Sequence, residues 1–223
     1  MLVVVGGHTR NIGKTSVVAG LIAALPEFQW TALKITQYGH NVCSTEGEPC
    51  ECVTSDPEHP FAISEETDRD SGTDTGRFLA AGARRVYWVR TAAGQLGYAM
   101  PGLRRILATG EHIIAESNSI LQFLKPALYL VVLDFGADDF KDTSLRYLDR
   151  ADALIVVGRG TKRPGWSGVA NKLWQSKPRF QIEPPQWATA AITALVRERL
   201  NSSTASSGAP AARASTVVPE GGT

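Results

Sequence analysis

A chain of 223 residues with 43% hydrophobic content suits one α/β domain with a sizeable core and would be cramped as two. Lys+Arg 23 against Asp+Glu 22 leave a formal charge of +1, which excludes a global electrostatic case for nucleic acid or an anionic membrane as partner. No apolar run reaches transmembrane length, and the apolar start lacks a basic region or cleavage site; no signal peptide and a cytoplasmic location are expected.

The β-branched run Met1–Val5 breaks at Gly6-Gly7 and resumes, after Gly13-Lys14-Thr15-Ser16, as a helical pattern over Thr15–Leu25. Strand, glycine-bearing loop, Gly-Lys-Thr and helix in that order form a phosphate loop. Its backbone N–H groups and the positive end of the helix converge on one point. Lys14 is the mobile cation for outer phosphates and the Thr15 hydroxyl a ligand for Mg²⁺, with Gly7, Asn11, Gly13 and Ser16 completing the nucleotide contacts. The spacing is G-x-x-x-x-x-G-K-T, one residue longer than the common form, with Gly7 expected to supply the turn.

Further strands are expected over Trp30–Ile35, Arg85–Arg90, His112–Ala115, Ala127–Leu133 and Ala153–Val157. Near-continuous apolar strands of this kind are buried on both faces. Between and after them lie helical patterns at Thr73–Ala83, Pro101–Thr109, Thr143–Leu148, Trp166–Gln175 and Gln186–Leu200, the last stopped in front by Pro184-Pro185 and carrying Arg197 and Arg199 near its end. Trp166 and Trp174 read as core packing on a helix. The alternation predicts an α/β fold, a mainly parallel doubly wound sheet in a three-layer sandwich over residues 1–200. Residues 201–223, rich in Ser, Ala, Pro and Gly, read as a disordered tail.

Residues 37–70 interrupt the rhythm as a long excursion holding all three cysteines. His40, Cys43, Cys50, Cys52 and His59 offer thiolate and imidazole ligands; four of them, His40 with the three cysteines, would close a tetrahedral Zn²⁺ site that staples a coreless segment. An iron–sulfur cluster, unligated thiols and a Cys50/Cys52 redox pair are the alternatives.

Two carboxylates stand where ligands bind in such sheets, beyond the carboxyl ends of the strands. Glu116, between Ile114-Ala115 and Ser117-Asn118-Ser119, is placed to hold Mg²⁺ or else to cap a helix, and Asp134 ends the next strand. Asp138 and Asp139 could contact substrate or cap the following helix. The stretch Gly72-Thr73-Asp74-Thr75-Gly76-Arg77 followed by Ala81-Gly82-Ala83 reads locally as a turn, a capped helix and a glycine stop.

Together with the phosphate loop, Lys34 at the end of the second strand, this segment and Glu116 resemble the molybdopterin-guanine dinucleotide biosynthesis protein B (MobB) family over roughly residues 1–135. The longer loop is also similar to that of dethiobiotin synthetase. The MobB resemblance implies a slow GTPase or ATPase that assists molybdenum-cofactor maturation, partnered by a cofactor-biosynthesis enzyme or a cofactor precursor and assembled as a homodimer. It places Lys34 and the Asp74/Thr75/Arg77 segment toward the phosphates or a second ligand. The dethiobiotin synthetase resemblance implies an ATP-dependent ligase or kinase for a small carboxylate. A nucleotide-driven metallochaperone is the third reading, carried by the Cys/His cluster. No Asn-Lys-x-Asp motif selects guanine, so ATP and GTP both stay open.

Overall fold

The computed structural model describes residues 1–38, 61–110, 112–158, 160–161 and 163–207. Among these, eight strands form one sheet: β1 (Leu2–Gly7), β2 (Thr31–Tyr38), β3 (Phe61–Glu66), β4 (Arg85–Ala92), β5 (Ile113–Glu116), β6 (Leu128–Asp134), β7 (Ala153–Val157) and β8 (Arg179–Ile182). Their order is β3-β4-β2-β5-β1-β6-β7-β8, parallel except for β3, which runs antiparallel on β4. Helices α1 (Lys14–Ala24), α2 (Asp74–Ala80) and α5 (Ala190–Ser207) supply Val17, Leu21, Phe78, Ile192 and Val196 to the core on one face. On the other, α3 (Leu96–Thr109) packs Leu96, Ala99, Met100 and Leu103 beneath Leu33, Val89 and Val131. Glycine-free apolar runs such as Leu128–Asp134, buried at every residue, occupy the middle of the sheet because both faces are covered.

The expected α/β architecture is the observed one, with local differences that have physical causes. α3 begins at Leu96 rather than near Pro101: burial at i, i+3, i+4 and i+7 outweighs a proline in the second turn. Trp166–Gln175 is not a helix; Gly168 takes φ +77 and only a short 3-10 turn, Asn171–Leu173, follows. Its tryptophans still enter the core, each edge-on to Phe135 at 5.3 and 5.8 Å. The pattern expected at Gln186–Leu200 becomes α5 from Ala190 to Ser207, so its last turns enter the stretch read as tail, and Arg197 lies mid-helix, paired with Glu27 at 2.7 Å. β3 and β8 are short edge strands that do not carry the unbroken apolar signature of the central ones. α4 (Asp142–Leu145) is a single turn followed by a 3-10 turn at Leu148–Arg150. None of the helices among the described residues is long and apolar enough to cross a membrane.

Candidate functional site

β1 lies between β5 and β6, and the loop that leaves its carboxyl end wraps over the start of α1. Gly7 remains in the strand and does not make the turn; a β-carbon there would meet the Lys14 stem at 2.7 Å, so its bareness lets Lys14 cross the strand end. The left-handed backbone falls at Asn11 (φ 57) and Gly13 (φ 94). Gly13 caps α1 without a side-chain hydrogen bond, and the first turn carries no acidic residue. Among the described residues, no side chain caps the amides at that end, the condition in which a helix start attracts an anion.

Lys14 Nζ donates to Thr9 O at 2.5 Å, inside the loop. Burial pulls its pKa below the ordinary lysine value, opposed by Glu116 and reinforced by Lys34. The Thr15 hydroxyl donates to Glu116 Oε2 at 2.8 Å, and Lys34 Nζ donates to Glu116 Oε1 at 2.7 Å and to Thr15 Oγ1 at 3.3 Å. Lys34 also meets Asp74 Oδ2 at 2.6 Å. Burial would lower the Lys34 pKa, but Glu116 and Asp74 outweigh it and raise the value above that of free lysine. Glu116, 5% exposed, faces this cluster and caps no helix.

The structure thus brings together Lys14, Thr15, Lys34, Asp74 and Glu116, five residues singled out from sequence. Ser16 joins them at the edge, accepting from Arg77 Nη2 at 2.9 Å. Thr75 does not face the site; it is 1% exposed and donates to Glu66 Oε2 at 2.8 Å. Glu66 also accepts from the Thr73 hydroxyl and the amides of Thr67 and Asp68, and so shapes the turn that delivers Asp74. Burial of Glu66 acts to raise its pKa, yet the hydrogen bonds from Asp68, Thr75, Thr73 and Thr67 together hold it low.

The opposite flank of the loop rests on His8, to which the sequence assigned no role, and on Asp139, expected to contact substrate or cap a helix. His8 is fully buried; its Nδ1 donates to Asp139 O at 2.8 Å and its Nε2 accepts from Asp134 N at 3.0 Å. Both nitrogens are committed in the neutral form, and burial lowers its pKa. The ring packs against Phe140 and Trp166 with centroids 5.1 and 4.8 Å away. Thr9 donates to the Asp139 carboxylate, and Lys141 N to His8 O at 2.8 Å. Asp139 therefore braces the phosphate loop instead of capping α4, whose cap position is Lys141. Asp134 turns back to accept from Gly136 N at 2.8 Å. Asn118 clamps Gly7 from β5's side, accepting from its N–H at 3.0 Å and donating to its carbonyl at 2.9 Å. Lys141 is half-buried; burial first, then the charges of Lys14 and Arg10, bring its pKa down to about 8.

Beside Ser16 and Arg77 a pocket of about 470 Å³ opens along α1, lined by Gly20, Pro185 and Trp187, with the Trp187 ring against Gly13. His40, Cys43, Cys50, Cys52 and His59 lie outside the described residues. Among the described residues no cluster of His, Cys, Asp and Glu has the geometry of a metal site.

No protein-family model matches the sequence, and no curated protein is similar to it. Among solved structures, the chain is similar to hydrogenase maturation factor HypB from Archaeoglobus fulgidus, with TM-score 0.50 and 12% identity over 90% of this chain and 91% of that one. HypB from Helicobacter pylori, solved in complex with nickel, gives TM-score 0.46 and 15% identity over 90% and 87%. LpxK from Aquifex aeolicus, solved with ATP, gives 0.47 and 18% over 81% and 53%, so the chain spans about half of its length. The fold is that of P-loop NTPases.

Proposed function

We propose that the chain binds a nucleoside triphosphate with Mg²⁺ and turns it over slowly. The observation that carries this reading is the junction of Thr15, Glu116 and Lys34 beside an uncapped helix start. A hydroxyl and a carboxylate oxygen 2.8 Å apart at one strand end fit the hard-oxygen donor set of Mg²⁺. When bound, that ion would neutralise charge on the outer phosphates. Lys14 exchanges its bond to Thr9 O for the phosphates, whose charge offsets its burial. Both Glu116 oxygens already accept hydrogen bonds, from Thr15 and Lys34, so neither is free to orient an attacking water, in keeping with slow turnover. The pocket beside Ser16 takes the nucleoside, with Trp187 as its aromatic wall.

Calorimetry of ATP and of GTP with Mg²⁺ tests this. Lys14→Ala is expected to weaken binding by about 100-fold, roughly 2.7 kcal/mol, and equal binding by the variant would overturn the reading. The same titrations decide the base.

The finer role proposed is that of a MobB-like accessory factor in molybdenum-cofactor biosynthesis, supported by the segment 72–83. There Thr73 caps α2 through Gly76 N at 3.0 Å, and Asp74 reaches Lys34. Copurification with a molybdenum-cofactor enzyme, lost in Asp74→Ala, would support it. The second reading is an ATP-dependent ligase or kinase on a small carboxylate, favoured by the half-buried sheet face next to Lys34. Zn²⁺ at His40, Cys43, Cys50 and Cys52, and the metallochaperone role built on it, rest on ligand chemistry alone. Absence of stoichiometric metal from purified protein, with unchanged thermal stability of Cys43→Ser, would remove both. Sedimentation would settle the proposed homodimer.

A further inference from the structure

Register across the sheet sets a row of side chains leading away from the phosphate loop. Glu116 pairs with Lys34, Lys34 with Trp88, and Trp88 with Ser64, across β5, β2, β4 and β3. One step nearer the carboxyl edge, Thr36 pairs with Arg90. Side chains two apart in a strand share a face, so all of these point to the α1 side, where Glu116 meets Thr15. Lower on the same strands, Ala32 and Val86 are sealed in the core that includes Phe78 and Leu79 of α2. Thr36, Ser64, Trp88 and Arg90 are only half-buried.

Arg90 is the unusual member. Its guanidinium lies over the Trp88 ring, 4.7 Å from the centroid, and Nη2 donates to Ser64 Oγ at 3.3 Å. Trp88 is itself held by a bond from Nε1 to Thr36 Oγ1 at 3.1 Å. Arg90 Nε is buried without a hydrogen-bond partner, and no carboxylate among the described residues forms an ion pair with Arg90. Among the described residues, a half-buried guanidinium oriented by a ring face and one neutral hydroxyl is given no anion to offset its desolvation. Lys34, with 16% side-chain exposure, is shared between Glu116 and Asp74 and separates this cation from the phosphate loop.

We infer that the sheet face formed by Thr36, Ser64, Trp88 and Arg90, beyond Lys34, is a second anion site that receives the carboxylate or phosphate group of a small-molecule ligand. It deepens the nucleotide reading by giving that ligand a place one strand away from Lys34. The fork of Arg90 takes the anion edge-on, Trp88 fixes the plane of the fork, and Thr36 and Ser64 set its position.

The test loads the phosphate loop with Mg²⁺ and a non-hydrolysable triphosphate and titrates inorganic phosphate by ³¹P line broadening and, separately, acetate by saturation transfer. The loaded protein is expected to bind at least one of the two, and the stronger arm tells phosphate from carboxylate. Arg90→Gln should weaken that binding tenfold or more and Arg90→Lys by less, while nucleotide affinity and thermal midpoint hold. Binding of neither anion, or equal binding by Arg90→Gln, overturns the site. If the wild type takes no nucleotide, the nucleotide reading fails instead. The anion titrations then run on Lys14→Ala protein, where a signal lost with Arg90→Gln still supports the site and no signal overturns it.

Discussion

The two flanks of the phosphate loop are built on different principles. On the β6 side, His8, Thr9, Asp139 and the Asp134 amide form a network around a neutral, buried ring wedged between Phe140 and Trp166. On the β5 and β2 side, Thr15, Glu116, Lys34 and Asp74 are joined by two ion pairs and two charge-assisted hydrogen bonds. The first flank fixes the shape of the loop without reference to any ligand. The second holds charges that an incoming cation or phosphate can redistribute. Under the proposed nucleotide reading, the neutral side would keep the amides aimed while the ionic side exchanges partners with the ligand.

The largest break in this comparison should come from the neutral flank. His8→Ala removes a fully buried ring and two hydrogen bonds, an expected loss of about 3 kcal/mol, or roughly 6–12 °C in thermal midpoint for a chain of this size. Scanning calorimetry should find that loss equal with and without Mg²⁺; a loss that depends on Mg²⁺ would merge the two flanks. Glu116→Gln should behave in the opposite way: about a tenfold fall in Mg²⁺-dependent nucleotide affinity, with less change in midpoint than His8→Ala. An unaltered Mg²⁺ dependence in that variant would deny the ionic flank its role.

Protons sharpen the contrast further. His8 titrates below the free value of 6.5 because it is buried, so below about pH 6.5 the unfolded chain takes up a proton that the folded ring resists, and stability falls with pH. His8→Asn should flatten that acid limb in urea titrations. Lys141 is a base with its folded pKa brought down to about 8 from 10.5. Between these values the unfolded chain holds the extra proton, so stability rises with pH, and Lys141→Met should remove its share of the rise, leaving that of Lys14. The smallest effect belongs to Arg77→Ala. Its bond to Ser16 is exposed, and a loss of about 0.5 kcal/mol or less is expected in denaturant melts.

The ionic flank was the more legible of the two in the sequence. Lys14 and Thr15 belong to a contiguous motif, and Lys34 and Glu116 lie on strands that their apolar runs announce, Glu116 ending β5 in register with Lys34 within β2, so their convergence follows from a parallel sheet. The neutral flank was not legible, because nothing local distinguishes a histidine that braces a loop from one that does not. His8 and Asp139 are 131 residues apart and acquire meaning only when β1 and β6 become neighbours. Asn118 likewise sits in a polar run whose one informative amide is selected by its distance to Gly7.

The sequence by itself determined the α/β alternation, the phosphate loop and the strands that carry its charged partners, because periodicity and a contiguous motif are local properties of a chain. Only the tertiary structure decided that Gly7 clears a path for Lys14 instead of turning, and that Asp139 braces the loop instead of capping a helix. It also decided that Arg90 lies on Trp88 in the row that begins at Glu116. Each of these depends on which strands lie side by side, and strand order is set by the packing of the whole sheet.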